Sequence, residues 1–274
     1  MLRKTEQIFR RFFPKRMNNQ GLYLSTLKGM HGLEVGGPSP IFTAAGFLPV
    51  YTCINGLDGC NFSSNTVWEG SISEGNTYRF GNKKGYQIIS DGTKLDMVAN
   101  GKYDFVLSCH SIEHFANPIK ALKEWLRVIK DDGYLLLVVP HKDNTFDNRR
   151  PVTKLEHLIK DYENNVEEND STHFEEINSL HDISMDDGIA DSESLRIRTA
   201  DNFNNRCVHH HVFNTPLVVE LAGYLHLKIL DVQHFNPFNI IALLQKSTDK
   251  NPDNSIYLDK ANSIYQKFPS DKSW

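Results

Sequence analysis

Apolar residues in this chain gather into short runs separated by polar, glycine-bearing turns. Gly32–Val35, Leu48–Ile54, Tyr86–Ser90, Tyr103–Ser108 and Leu135–Val139 have the length and the β-branched or aromatic content of strands. Tyr103–Ser108 and Leu135–Val139 are nearly continuous in apolar character, as parallel strands buried on both faces are. Helical spacing fills the gaps: Met17–Gly29 ahead of the first strand, Ile41–Gly46 behind it, and Ile119–Ile129 between the fourth and fifth. Farther on, Thr215–Leu225 reads as a helix with Pro216 in its first turn, and Leu227–Val232 with Asn239–Gln245 as a closing antiparallel pair. Strands alternating with helices predict an α/β fold on a doubly wound sheet.

The first strand ends in HGLEVGGPSP, His31–Pro40. An acid, Glu34, followed by Gly36 and Gly37 is what a nucleotide-binding βα junction needs, because glycine lets backbone approach a ligand closely. The spacing is not G-x-G-x-x-G, and Pro38 and Pro40 remove two N–H donors from a phosphate cradle. A ligand with an adenosine and no phosphate fits better. Asp58, past the second strand, is the candidate for ribose hydroxyls; the alternative is a turn aspartate in Asp58-Gly59. Asp91-Gly92, past the third strand, could reach an adenine amino group or simply form a turn.

The charge balance of −4 over 274 residues argues against a general nucleic-acid binder. Cys53, Cys60, Cys109 and Cys207 form no C-x-x-C pair, which favours a reducing, cytoplasmic setting. No apolar run is long enough to span a bilayer. Residues 1–16 carry six basic side chains and one acid, interleaved with Leu2, Ile8, Phe9, Phe12 and Phe13. A helix there would either lie weakly on anionic lipid or pack its aromatics on the main domain.

Two stretches carry a family resemblance. The Glu34–Pro38 turn resembles the first motif of class I S-adenosylmethionine (SAM) methyltransferases. Ser108, Glu113-His114 and Asn117-Pro118, then an amphipathic helix, the turn Asp131–Gly133 and an apolar strand, resemble the same family's signature after the fourth strand. The resemblance spans roughly Gly32–Gln245. It implies a Rossmann-like seven-stranded mixed sheet, SAM as cofactor and S-adenosylhomocysteine as product. Glu34, Gly36, Gly37, Pro38, Asp58 and Asp91 would contact the cofactor, as would Gly92 and, at the fourth strand's end, Ser108, Cys109, His110 and His114. His110, Glu113 and His114 also fit H-x-x-E-H, a zinc-peptidase pattern, but the motif directly follows a buried strand, and no metal ligand is assigned from it.

After the fifth strand the chain inserts a polar segment. The organisation expected is an N-terminal helical segment at 1–30, a SAM-binding core at 31–141 and 208–247, a lid at 142–207 and a tail at 248–274. Within the lid, Lys154–Glu163 and Thr172–Leu180 look helical, with Ser171 or Thr172 and Glu175 as a capping box. His141, Thr145-Phe146-Asp147, Arg150-Pro151 and Thr153 resemble an insert of methyltransferases found with surface-polysaccharide biosynthesis, which implies a sugar acceptor, nucleotide-linked or in a glycan. O-methylation needs a base for the hydroxyl proton, and histidine serves near neutral pH. His141, at the fifth strand's end, is the first candidate, followed by His173, His209 and His211. These histidines with an acid could instead hold a divalent metal that orients hydroxyls. Arg149, Arg150 and Arg206 could hold an anionic group of the substrate, or pair with the insertion's acids. A small non-sugar acceptor and a non-catalytic binding module are the rival functions.

Overall fold

A computed structural model describes residues 15–249 and 251–273. The basic amphipathic stretch with Leu2, Ile8, Phe9, Phe12 and Phe13 lies outside them. After helix α1 (Gln20–Leu27) come β1 (His31–Val35) and β2 (Gly56–Asn61), then a small ribbon of β3 (Asn65–Thr66) and β4 (Gly70–Ser71). A hairpin of β5 (Gly75–Phe80) and β6 (Lys83–Ile89) precedes β7 (Tyr103–Cys109), α2 (Pro118–Val128) and β8 (Ile129–Pro140). The insertion holds α3 (Leu155–Glu163), α4 (Phe174–Leu180), α5 (Ser192–Ala200) and α6 (Asn202–Asn205). The chain closes with α7 (Thr215–Tyr224), β9 (Leu227–Phe235), β10 (Asn239–Lys246) and two single turns, α8 (Ser255–Leu258) and α9 (Pro269–Lys272).

One mixed sheet of eight strands runs β5-β6-β2-β1-β7-β8-β10-β9. β6, β2, β1, β7 and β8 are parallel, while β10 is antiparallel to both its neighbours. The strand beyond the expected seven is β5, folded back on β6 through Gly81, whose φ of 61° suits glycine. The two-residue period divides the core. Leu33, Val106, Leu135 and Ile240 face a layer covered by α2 and α7. Phe105, Leu107, Leu136 and Ile241 face the other layer, with Tyr23 and Leu27 of α1. In α2, Asn117 accepts a hydrogen bond from the Lys120 amide, Pro118 opens the helix, and Ile119, Leu122 and Trp125 form the buried stripe.

Two expected elements are different. Ile41–Gly46 is not a helix: a single 3-10 turn, Pro40–Phe42, stands in its place. Leu48–Ile54 is not the second strand. Leu48, Val50, Tyr51 and Ile54 are buried because they plug the second core layer where a crossover helix would lie. The strand itself is the glycine-rich Gly56–Asn61, kept bare because the Tyr78 ring lies across Gly59.

In the insertion, α3 sends Leu158 into the first layer, while Ile177, Ile189, Leu195 and Val208 make a small core of their own. The capping box is absent: His173 precedes α4 without a side-chain cap, and the Thr172 hydroxyl donates to Asp170. The acidic stretch after His181 is a series of side-chain-capped turns, with Asp182 bonded to Ser184 and Asp191 to Ser194. Among the described residues, no helix is long and apolar enough to cross a membrane.

Candidate active site

A cavity of about 690 Å³ opens at the carboxyl ends of β1, β2, β6 and β7. Open α/β sheets bind ligands there, and the volume is that of a small-molecule site. Of the expected contacts, Gly36, Pro38, Asp91, Gly92, Cys109 and His110 line it, as does His114.

Gly36 has a φ of 83°, and a Cβ there would stand 2.8 Å from Ser111 Oγ. Only glycine serves at this position. Glu34 and Gly37 do not reach the cavity. Glu34 is fully buried, and four donors saturate its carboxylate: the Ser39 amide (3.0 Å) and hydroxyl (2.6 Å), the Tyr51 hydroxyl (2.5 Å) and the Tyr78 hydroxyl (2.7 Å). Burial pushes its pKa up, and the hydrogen bonds from Ser39, Tyr51 and Tyr78 oppose that rise. Gly37 lies against this carboxylate, where a Cβ would collide. Glu34 therefore builds the loop and leaves no acceptor for a ligand.

Moving β2 also moves its functional end. Asp58 is a mid-strand residue that accepts from the Tyr86 amide and the Tyr103 hydroxyl, and it does not line the cavity. The wall at the strand's end is Asn61, Phe62, Trp68 and Glu69. Asn61 donates to the Gly37 carbonyl and accepts from the Trp68 indole, so its amide is structural. Glu69 is exposed to the cavity, and desolvation raises its pKa. Sequence reasoning missed Glu69 because it sits in the apolar-poor stretch after a strand whose position was misjudged.

At the third junction, Asp91 accepts from Thr93 through Oδ1 and faces Arg206 through Oδ2 at 3.3 Å. Arg206 also meets Glu168 at 2.5 Å and lies over the Phe62 ring, so it closes the insertion onto the sheet. Burial raises Glu168 to about 7, with Arg206 opposing. Arg206 thus reaches the cavity, but the other two arginines do not. Arg149 is exposed and pairs with Asp182 (3.0 Å). Arg150 is buried, paired with Asp147 and Glu176 (2.8 Å each), and donates to the His209 carbonyl.

Ser108 is sealed inside the sheet between Val35 and Leu137 and is no ligand contact. Beyond it, His110 adopts a left-handed φ of 49° and donates through Nε2 to Asn239. Burial lowers its pKa. His114 donates through Nδ1 to the Val208 carbonyl, and burial, with His209 nearby, holds it neutral. Between the two lies Glu113, fully buried and without a hydrogen-bond donor on either oxygen. His110 Nδ1 is 3.8 Å from its Oε1, and His114 Nε2 and His209 Nε2 are each 4.0 Å away. Burial raises Glu113 to about 7, against the pull of His209.

The expected bases are scattered. His141 is fully buried away from the cavity, stacked on Phe268 (3.9 Å) and donating to Asp271 of α9 (3.0 Å). Asp271 also accepts from the Thr215 amide and hydroxyl, so His141 ties the tail to the end of the sheet. His209 and His211 do not work together. His209 donates through Nδ1 to Asp147 (2.6 Å) and packs on His114, directly behind the cavity wall. Burial would lower its pKa, but Asp147 raises it on balance. Asp147, which burial alone would raise, is held down to about 2 by His209 and Arg150. His211 and His173 face the opposite side, toward His157 and Asp161. Glu113 and Asp147 were legible only as letters of the two motifs.

Residues 9–185 match the family model described as a methyltransferase domain. This is well over half of the chain, which therefore belongs to that family, the class I SAM-dependent methyltransferases, with SAM as cofactor and S-adenosylhomocysteine as product. No curated protein matches the sequence. Solved structures with a similar fold include a SAM-dependent methyltransferase from Aquifex aeolicus (13% identity, 83% of this chain and 89% of that one, TM-score 0.42). Others are SAM-dependent methyltransferases from Methanosarcina mazei (14%, 85% and 100%, 0.46) and Mesorhizobium loti (9%, 82% and 95%, 0.47).

Proposed function

We propose that this methyltransferase acts on a hydroxyl oxygen of a sugar, nucleotide-linked or in a surface glycan, with histidine assistance. The observation that carries the reading is the unbonded carboxylate of Glu113 among three imidazoles, two of which, His110 and His114, line the cavity. The four free thiols support a reducing, cytoplasmic setting. The segment 142–207 would serve as the acceptor-side lid.

The cavity residues fit SAM: Gly36 permits close backbone approach, Glu69 offers two acceptors to ribose hydroxyls, and Asp91 with Gly92 lies at the third junction. When bound, SAM supplies a methyl group on a positively charged sulfonium. Because His114 Nδ1 is committed to the Val208 carbonyl, its Nε2 carries the lone pair. That nitrogen would take the proton of an acceptor hydroxyl as its oxygen is methylated. Glu113 as carboxylate stabilises the resulting imidazolium, and His209, oriented by Asp147, flanks Glu113. The proton later leaves to water. Holding donor and acceptor in line supplies most of the remaining acceleration.

A second reading, a small apolar acceptor, is favoured by Ile41, Phe47 and Phe238 on the same cavity. Incubation with methyl-labelled SAM and a panel of nucleotide sugars, oligosaccharides and phenols separates the two. Label in a sugar ether, lost in His114→Gln and Glu113→Gln while S-adenosylhomocysteine still binds, supports the proposal. Label only in phenols favours the second reading, and cofactor binding without transfer to any acceptor favours a binding module.

A further inference from the structure

His157 and Asp161 lie one turn apart on α3, His173 precedes α4, and His211 sits in the strap that leads to α7. A neutral imidazole pair can share one N–H···N hydrogen bond, but three rings around one carboxylate have no such reason to converge, and charged rings repel. Yet His157 Nε2 is 3.1 Å from His173 Nε2 and 3.3 Å from Asp161 Oδ2, and His211 Nε2 is 3.6 Å from the same oxygen. The four donor atoms all lie within 4.8 Å of one another. We infer that His157, Asp161, His173 and His211 form a tetrahedral site for a divalent transition metal of the zinc class, separate from the SAM cavity.

The distances carry this. Zinc bound to imidazole and carboxylate at about 2.0–2.1 Å sets donor–donor edges of about 3.3 Å, and the three measured separations bracket that value. A second observation is independent of them. Asp161 Oδ2 is buried in the middle of the group and receives no hydrogen bond, a costly arrangement that a cation would relieve. Neutral imidazoles with one carboxylate suit zinc and its neighbours rather than calcium or magnesium. A surface cleft of about 370 Å³, lined by His157, His173 and Glu176, gives access. The Ala116 carbonyl lies 3.2 Å from His211 Nε2, so carbonyl and metal compete for that nitrogen.

Four protein ligands leave no open position, so the metal is structural. It joins α3, which packs on α2 and α7, to the strap carrying Val208 and His209, the residues that hold His114. The inference does not depend on the acceptor or on the proposed base.

The test uses the full chain, stripped with EDTA, desalted and titrated with Zn²⁺ by calorimetry and with Co²⁺ by visible absorption. One equivalent bound, with the intense bands of tetrahedral Co²⁺ and a melting temperature raised by roughly 5–10 °C in saturating Zn²⁺, is the expected result. His157→Ala and His173→Ala, each confirmed folded by circular dichroism, should lose more than the roughly 10–100-fold in affinity that a supporting partner costs. Absence of binding, or a weak six-coordinate Co²⁺ spectrum, overturns the site. So does binding that survives both variants and disappears in Glu113→Gln, which would place the metal at Glu113, His114 and His209.

Discussion

The floor and the roof of the cavity are held together by different forces. The floor is sheet and helix, fixed by apolar packing: Leu33, Val106 and Leu135 lie under α2, and Trp125 is sealed between them with its indole donating to the Gly92 carbonyl. The roof is the insertion, whose own apolar core is four residues. Buried charge does the rest, with Arg150 between Asp147 and Glu176, and Arg206 between Asp91 and Glu168. Packing tolerates no local loss without global cost, whereas a charged knot can open while the sheet persists.

Three substitutions bear on this contrast. Trp125→Ala should cost about 3–5 kcal/mol, leaving a cavity and an unpaired Gly92 carbonyl, and urea melts followed by fluorescence and circular dichroism should shift together. If the two probes separate, floor and roof are not as different as argued. Arg150→Ala should cost about 3 kcal/mol locally, because Asp147 is left charged and unpartnered on that side. Limited proteolysis should then cut within 142–207 while the sheet's amides stay protected from exchange. Arg149→Ala, one residue away and exposed, should match the parent in both assays.

A further effect is in pH. A carboxyl raised to about 7 stays protonated in the folded chain after the unfolded chain has lost its proton, so stability falls as pH rises from about 4.3 to 7. Glu113→Gln should therefore stabilise the protein at pH 8 by up to roughly 3 kcal/mol and flatten that slope. Asp147 acts with the opposite sign: its contribution is present above about 3.9 and is lost as pH falls through about 2. Equal slopes for parent and Glu113→Gln between pH 5 and 8 would mean that Glu113 is solvated. Methyl transfer should rise through the same range, as Glu113 becomes able to stabilise an imidazolium beside it.

The same division explains what could be read from the chain. β7, α2, β8, α7, β9 and β10 follow from apolar period alone, because burial on one or both faces writes itself into spacing. Leu48–Ile54 misled because a buried 3-10 plug needs the same residues as a strand, while β2 had to be glycine-rich beneath Tyr78. Gly36, Asp91 and His110 could be placed on the cavity from strand ends. Glu34 could not be excluded, since its four donors come from as far away as Tyr78. His141 failed for a similar reason: its partner is 130 residues later and has no local signature.

That separation has a kinetic meaning. The His141–Asp271 contact spans 130 residues, so the entropy of closing that loop favours its forming after the sheet has brought both ends together. A contact that closes last would be absent from the folding transition state, and Asp271→Ala should then speed unfolding while leaving the folding rate nearly unchanged in stopped-flow measurements. On that reading the tail's single turn α9 would act as a brake on the way out of the native state, setting how long the assembled protein lasts rather than how fast it assembles.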